Sequence, residues 1–229
     1  MKKLITKIIE DQKFTPTFFG IFLNPFYFAR KNLYENIKNY GNKLTGKILD
    51  IGCGTKPYKK YLNGSYIGLD IQNNNNLDNN DQEVIFFDGK DFPLEDNSIN
   101  SILCTQVLEH VKDHNHFFSE LRRVLKKDGL ILITVPFLWA EHEVPNDFSR
   151  FTTYGLKKLL TENNFDILET KKLGNNFSSM GQFINSYLYD ILPNKFKYNI
   201  LTHIFIYGFF NLIFLLISKL LPKNDNFYL

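Results

Sequence analysis

The chain has 229 residues, of which 44% are hydrophobic, 22% charged and 16% aromatic, enough for one large domain with appendages and too apolar for a disordered chain. A net charge of +3 and a pI of 8.6 do not supply the concentrated basic stripe that a nucleic-acid partner requires. Two cysteines, Cys53 and Cys104, are too few for a disulfide framework and fit a reducing cytosol.

Residues 1–46 read as helical. The opening MKKLITKIIEDQK has a basic start, but its apolar stretch is too short for a signal peptide and soon meets Glu10 and Asp11. Asn24-Pro25 marks a helix start, apolar positions recur at Phe26, Phe28, Leu33, Tyr34 and Ile37, and Gly41 is a stop. Short apolar runs then alternate with helical stretches. KILDI (47–51), YIGLDI (66–71), VIFF (84–87), residues 99–103 and LILITV (130–135) are predicted strands. They are continuously apolar, as strands covered on both faces should be. Residues 56–62, 105–125 and 153–163 are predicted helices, and FDILETKKL (165–173) is a predicted sixth strand with no convincing seventh. The rhythm is that of a doubly wound, mostly parallel α/β sheet. QNNNNLDNNDQ (72–82) has almost no apolar content and reads as a solvated loop without chemistry.

The sharpest motif is LDIGCGTKPY (49–58), an apolar strand running into Asp50 and then Gly52-Cys53-Gly54. Glycines let the backbone turn tightly and approach a ligand. Asp70 ends the next strand, where a carboxylate can accept both hydrogen bonds of a ribose diol. A nucleoside-containing cofactor is indicated. A dinucleotide needs a third glycine at the helix start, where this chain has Pro57, and Asp50 would repel a pyrophosphate. A ligand with an ammonium, a sulfonium and a ribose, S-adenosylmethionine (SAM), fits better.

These residues, with NPFYFARKNLY (24–34), FFDGKDFPLEDNSIN (86–100), TQVLEHV (105–111), LRRVLKKDGLILITVPF (121–137) and HEVPNDFSRFT (142–152), resemble the class I SAM-dependent methyltransferases. The narrower resemblance is to their type 11 branch, often found with bacterial cell-surface polysaccharide genes. It implies that Asp50, Gly52, Cys53 and Gly54 border the methionine part of the cofactor. Asp70 and Ile71 would flank the ribose, Asp88 and Gly89 the adenine, and Thr105 and Gln106 the sulfonium. Many relatives carry a third glycine where this chain has Lys56. Asp88 equally fits a cap on the DGKD turn, and Cys53 a small packed residue.

The stretch WAEHEVPNDFSRFT (139–152) crowds titratable groups into the segment after the fifth strand, where substrate loops sit in this fold. His142 is the candidate general base, Asp147 its orienting partner, and His110 a second candidate or a pocket wall. The alternative is that Asp147 and Arg150 form a structural pair and Thr152 caps a helix. His110 and His114 have i, i+4 spacing without the intervening Glu of a zinc helix, so no metal is assigned.

Of the 23 Phe, 14 lie before residue 30 or after residue 176. NILTHIFIYGFFNLIFLLISKLL (199–221) is long enough for a bilayer core, but polar positions interrupt it, and Tyr207, Asn211 and Ser218 share one narrow face. It reads as a membrane-lying helix, a span, or a helix buried against the domain or a second copy in a homodimer. Three regions follow: a helical cap (1–46), a SAM-binding domain (47–176) and an apolar helical region (177–229). The expected protein is a cytoplasmic methyltransferase, peripheral to the inner membrane face. Its acceptor would be a hydroxyl or amine of a small molecule, a sugar or lipid-linked glycan intermediate. The alternatives are an aromatic or isoprenoid-quinone acceptor, or a catalytically silent scaffold.

Overall fold

The computed structural model describes residues 11–71, 81–197, 199–226 and 228–229; most of the polar loop read at 72–82 lies outside them. The chain divides into two compact units, residues 37–170 and the two flanks, 1–36 with 171–229. The flanks, read separately in the sequence, thus make one unit. In chain order the helices are α1 (Gly20–Leu23) and α2 (Tyr27–Tyr40), α3 (His114–Val124) and α4 (Thr153–Glu162). They are followed by α5 (Asn176–Ile191), α6 (Asn194–Lys197) and α7 (Ile200–Leu220). The strands are β1 (Thr45–Ile51), β2 (Asn63–Ile71), β3 (Val84–Phe87), β4 (Ile99–Thr105) and β5 (Leu125–Thr134).

In the central unit the five strands form one parallel sheet in the order β3-β2-β1-β4-β5. The chain winds from β1 outward to β3, then returns to the other side of β1 with β4. That reversal opens a crevice at the carboxyl ends of β1 and β4. The register brings Asp50 opposite Gly68 on one side and Leu103 on the other. Ile48, Leu49, Ile51, Ile102, Leu103 and Cys104 are all essentially buried, which accounts for runs that are apolar on both faces. Phe117, Phe118, Leu121 and Val124 of α3 cover the sheet.

Three expectations are corrected. Residues 56–62 form only a 3-10 turn at Lys59–Tyr61, because Lys56 is in the left-handed region (φ 58°) and Pro57 lacks an N–H. The stretch after β4 is not one helix. A 3-10 turn at Leu108–His110 comes first, and α3 starts only where the Asp113 side chain accepts from His116 N (3.1 Å). Residues 165–173 form no strand: β5 has no further sheet partner among the described residues, and Phe165 instead packs into the core. The late segments are linked by backbone bonds from Leu229 N to Leu173 O and from Asn176 N to Asn224 O (both 3.1 Å).

The flanking unit packs Ile21, Tyr27, Phe28 and Phe214 into a small core of its own. Buried amides pin it. Gln182 accepts from Ala29 N (3.1 Å) and donates to Pro25 O (3.2 Å). Asn211 accepts from Asn185 (2.7 Å) and donates to Ile21 O (2.8 Å). The polar positions read on α7 therefore turn inward: Tyr207 and Asn211 are fully buried. The outward face carries Leu201, Phe205, Phe209, Leu216 and Leu220, with Phe205 72% and Leu220 82% exposed. α7 is long and apolar enough to cross a membrane by length and composition.

Candidate functional site

The cofactor-side residues meet at the carboxyl ends of β1, β2 and β4. Gly52 N donates to Leu69 O (2.8 Å) as the chain leaves β1. At Gly52 (φ 66°) a Cβ would lie 2.4 Å from a methyl of Val107, so only glycine fits. Gly54 (φ 49°) donates its N–H to Asp70 Oδ2 (2.7 Å). A Cβ there would meet no atom within 4 Å, which leaves open space beside the turn. The second Asp70 oxygen accepts from Ile71 N (2.8 Å). The carboxylate is thus held at a fixed angle with lone pairs to spare.

Asp50 lies beneath this turn, only 2% exposed, and accepts from the Tyr66 hydroxyl (2.8 Å). Burial pushes its carboxyl up to about 7, against the lowering effect of that hydrogen bond and with help from Asp70. Cys53 is buried, and burial pushes its thiol up to about 12. It is a packed residue rather than a reactive one. Lys56 has a left-handed backbone (φ 58°). Its ammonium binds Asp81 and Glu83, and Lys59 joins Glu83 (2.6 Å). Asp88 is exposed and accepts from Lys90 N (2.9 Å), the turn-capping arrangement, beside Gly89 at φ 85°. Gln106 follows Thr105 in a left-handed conformation (φ 54°), fixed by a bond from its N–H to Thr134 O (2.9 Å). Strained backbone of this kind is held only where the surroundings over-determine it.

The Asp50 environment fixes a pH dependence. An unfolded aspartate titrates near ~3.9. Between there and about pH 7 the unfolded chain ionises at this position while the folded chain does not. Stability held below pH 4 is therefore lost progressively until about pH 7. Asp50→Asn should remove that slope. In urea titrations of the cofactor-free protein the variant should exceed the parent by on the order of 3 kcal/mol at pH 8, and the two should converge near pH 4. Parallel profiles for the two proteins would contradict this account.

A second group of side chains assembles from the turn after β4 and the loop after β5. Phe148 N and Ser149 N both donate to Glu109 O (2.8 and 3.2 Å), which ties the loop to the turn. Arg150 grips Asp147 with two bonds of 2.6 Å and also donates to Ala140 O (3.0 Å). Asp147 is held well below the usual carboxylate range by that guanidinium. The same carboxylate accepts from His142 N (3.0 Å) and lies 3.2 Å from His142 Nδ1. Asp147 thus makes the structural pair with Arg150 and contacts His142 as well. Thr152 caps α4, accepting from Gly155 N (3.0 Å).

His110 packs edge-on to His142, ring centroids 4.8 Å apart, and its Nδ1 is 2.7 Å from Asn146 O. His114 and His116 point elsewhere, to Leu108 O (3.0 Å) and Asp91 (3.0 Å). One participant went unread in the sequence. Tyr66 is visible only through the β1–β2 register. Glu109 is fully buried, and neither of its carboxylate oxygens has a hydrogen-bond partner among the described residues. The Glu-His pair was on view in TQVLEHV, but its burial was not.

Residues 49–133 match the family described as a methyltransferase domain. The fold is that of the class I methyltransferases. SAM is the cofactor that goes with this domain, and the buried Asp50, the clamped Asp70 and the open space at Gly54 fit it. Two uncharacterized proteins of Methanocaldococcus jannaschii are similar. One is 27% identical over 145 residues, 59% of this chain and 62% of its own length. The other is 31% identical over 127 residues, 53% of this chain and 60% of its own. The chain thus spans about three fifths of the curated relatives it matches.

Among solved structures, a SAM complex of Haemonchus contortus phosphoethanolamine N-methyltransferase 2 has a TM-score of 0.53 at 20% identity, over 89% of this chain and 52% of that one. The [4+2]-cyclase SpnF has a TM-score of 0.52 at 16% identity, over 83% and 76%. A SAM-dependent methyltransferase from Aquifex aeolicus has a TM-score of 0.50 at 16% identity, over 73% and 92%. A cyclase among these shows that the fold alone does not dictate the reaction.

Proposed function

We propose that this protein transfers the methyl group of SAM to a hydroxyl or amine of a small molecule, a sugar or a lipid-linked glycan intermediate. The observation that carries the reading is the Gly54 N–H to Asp70 bond (2.7 Å) across a glycine turn that overlies the buried Asp50. Bound SAM supplies an electrophilic methyl carbon on a positively charged sulfur. Asp70 accepts the ribose hydroxyls, Asp50 faces the ammonium end, and Ile71, Asp88 and Gly89 flank the nucleoside. Thr105 and Gln106 line the reacting end. The in-line displacement depends on orientation. His142 takes the acceptor proton at Nε2, and Asp147 positions it through Nδ1. His110 forms the adjoining wall.

The glycan acceptor follows the type 11 resemblance. Calorimetry with SAM, S-adenosylhomocysteine and NAD tests the cofactor. The first two should bind at micromolar concentration and NAD should not; NAD binding without SAM would overturn the reading.

The exposed apolar face of α7 supports a peripheral position at the inner face of the cytoplasmic membrane, which suits a lipid-linked acceptor. Lys195, Lys197, Lys219 and Lys223 supply charge for an anionic leaflet. The full-length chain should float with phosphatidylglycerol-containing liposomes, and Phe205→Glu with Leu216→Glu should leave it at the bottom of the gradient. If the parent does not float and sediments as a homodimer that the same pair of substitutions dissociates, the face is an interface between copies instead.

A further inference from the structure

We infer that Glu109, His110 and His142 form a binding site for a divalent first-row transition-metal cation of the zinc or ferrous type. One potential ligand atom from each lies within 4.8 Å of the others. Atoms held about 2.1 Å from a common metal are at most about 4.2 Å apart, so the cluster needs to close only slightly. Two imidazoles and a carboxylate are the donor set of three-ligand zinc sites and of non-haem iron sites with open positions.

Three features beyond proximity point to a cation. The first is Glu109 itself. A carboxyl group buried without a hydrogen-bond partner on either oxygen is costly, and a cation at this cluster compensates it. The second is the setting of both imidazoles. The partner of His110 Nδ1 is a carbonyl, Asn146 O (2.7 Å), which can only accept. His142 Nδ1 lies between two acceptors, Asp147 Oδ2 (3.2 Å) and Ala140 O (3.3 Å). Each Nδ1 therefore serves as the donor, which leaves Nε2 as the ring nitrogen available to a ligand. An acceptor on the other ring nitrogen is what orients metal-binding histidines. His110 Nε2 faces Glu109 Oε1 at 4.0 Å and Glu143 Oε2 at 3.9 Å. The third is charge: Glu109, Glu141 and Asp147 all act on the guanidinium of Arg150, and Glu143 adds a fourth carboxylate beside His110.

The His142 side chain is 33% exposed and that of His110 18%, so the coordination sphere is open on the solvent side. Its catalytic use rests on the methyltransferase reading above. A hydroxyl acceptor bound to the cation becomes more acidic and loses its proton to water. The oxygen electron pair then forms the new O–CH3 bond while the C–S bond breaks. Its pair stays on sulfur, which turns from sulfonium to neutral thioether. In that scheme His142 is a ligand and the cation acidifies the acceptor.

The test uses untagged full-length protein, freed of metal with EDTA, desalted and titrated calorimetrically with Zn2+ and with Co2+. The visible absorption of Co2+ reports its coordination. The expected result is one equivalent of Zn2+ per chain, weakened about 10- to 100-fold or more in Glu109→Gln, His110→Gln and His142→Gln and unchanged in His116→Ala. If Glu109→Gln does not fold, the two histidine variants, which sit nearer the surface, carry the comparison. SAM titration of the same samples separates the two readings. SAM binding without stoichiometric metal, or metal binding indifferent to all three ligand variants, overturns the metal site and leaves the methyltransferase standing. Metal binding lost in the variants without any SAM binding does the reverse.

Discussion

Asp70→Ala is expected to weaken SAM binding by about 100- to 1000-fold. A hydrogen bond to a charged group contributes about 1.5–3 kcal/mol, and the proposed cofactor site has this carboxylate accept two from a ribose. It also anchors the Gly54 N–H at 2.7 Å and the Ile71 N–H at 2.8 Å, so its removal loosens the turn as well. Asp70→Asn, which keeps an acceptor oxygen but loses the charge, should fall between parent and alanine variant. The fold should survive, because Asp70 is the penultimate residue of β2 and is only partly buried. Calorimetry with SAM and S-adenosylhomocysteine reads the effect. A dissociation constant within about threefold of the parent would remove Asp70 from the cofactor site.

His142→Ala is expected to lower methyl transfer by about 100- to 10,000-fold with any acceptor that supports turnover, while SAM affinity stays at the parent value. His142 belongs to the loop after β5, which is separate from the glycine turn, so binding and chemistry should part company in this variant. Wild-type turnover across pH 6–9 would exclude the residue from the reaction. Asp147→Asn separates positioning from stability. Its side chain is 3% exposed and receives two 2.6 Å bonds from Arg150. Loss of its charge leaves the guanidinium poorly compensated, and because Arg150 is 25% exposed and screened by water, the cost is about 1–2 kcal/mol. The variant should therefore melt lower as well as turn over more slowly, whereas His142→Ala should change turnover far more than melting temperature. EDTA distinguishes the two roles open to His142. A pure base keeps full activity after chelation, and a ligand does not.

Much of the central unit was legible because its signals are local. Strands covered on both faces are apolar over most of their length, and KILDI, VIFF and LILITV are apolar but for Lys47, Asp50 and Thr134. Gly52 and Gly54 advertise left-handed backbone, and both adopt it. The misreadings have equally physical origins. Residues 56–62 have helix-like composition, but a left-handed Lys56 followed by Pro57 cannot start an α-helix, and β2 begins at Asn63. FDILETKKL has strand-like composition, but a strand exists only if another strand pairs with it, and none among the described residues does. On α7 the helical period revealed a narrow polar stripe without saying which side faced the protein. The Asn185–Asn211 bond (2.7 Å) buries that stripe and turns the phenylalanines outward.

The sequence by itself therefore determined the parallel strands and the glycine turn, since backbone preference and hydrophobic period are written over short distances. Only the tertiary structure decided what His142 touches. Glu109 and His110 follow β4 and His142 follows β5, and the parallel pairing of those strands delivers both loops to the same end of the sheet. Burial of Glu109, the Nδ1 partners of the two histidines and the inward turn of Asn211 arise from contacts that form once distant segments have packed. No local pattern encodes which partner a buried polar group will find.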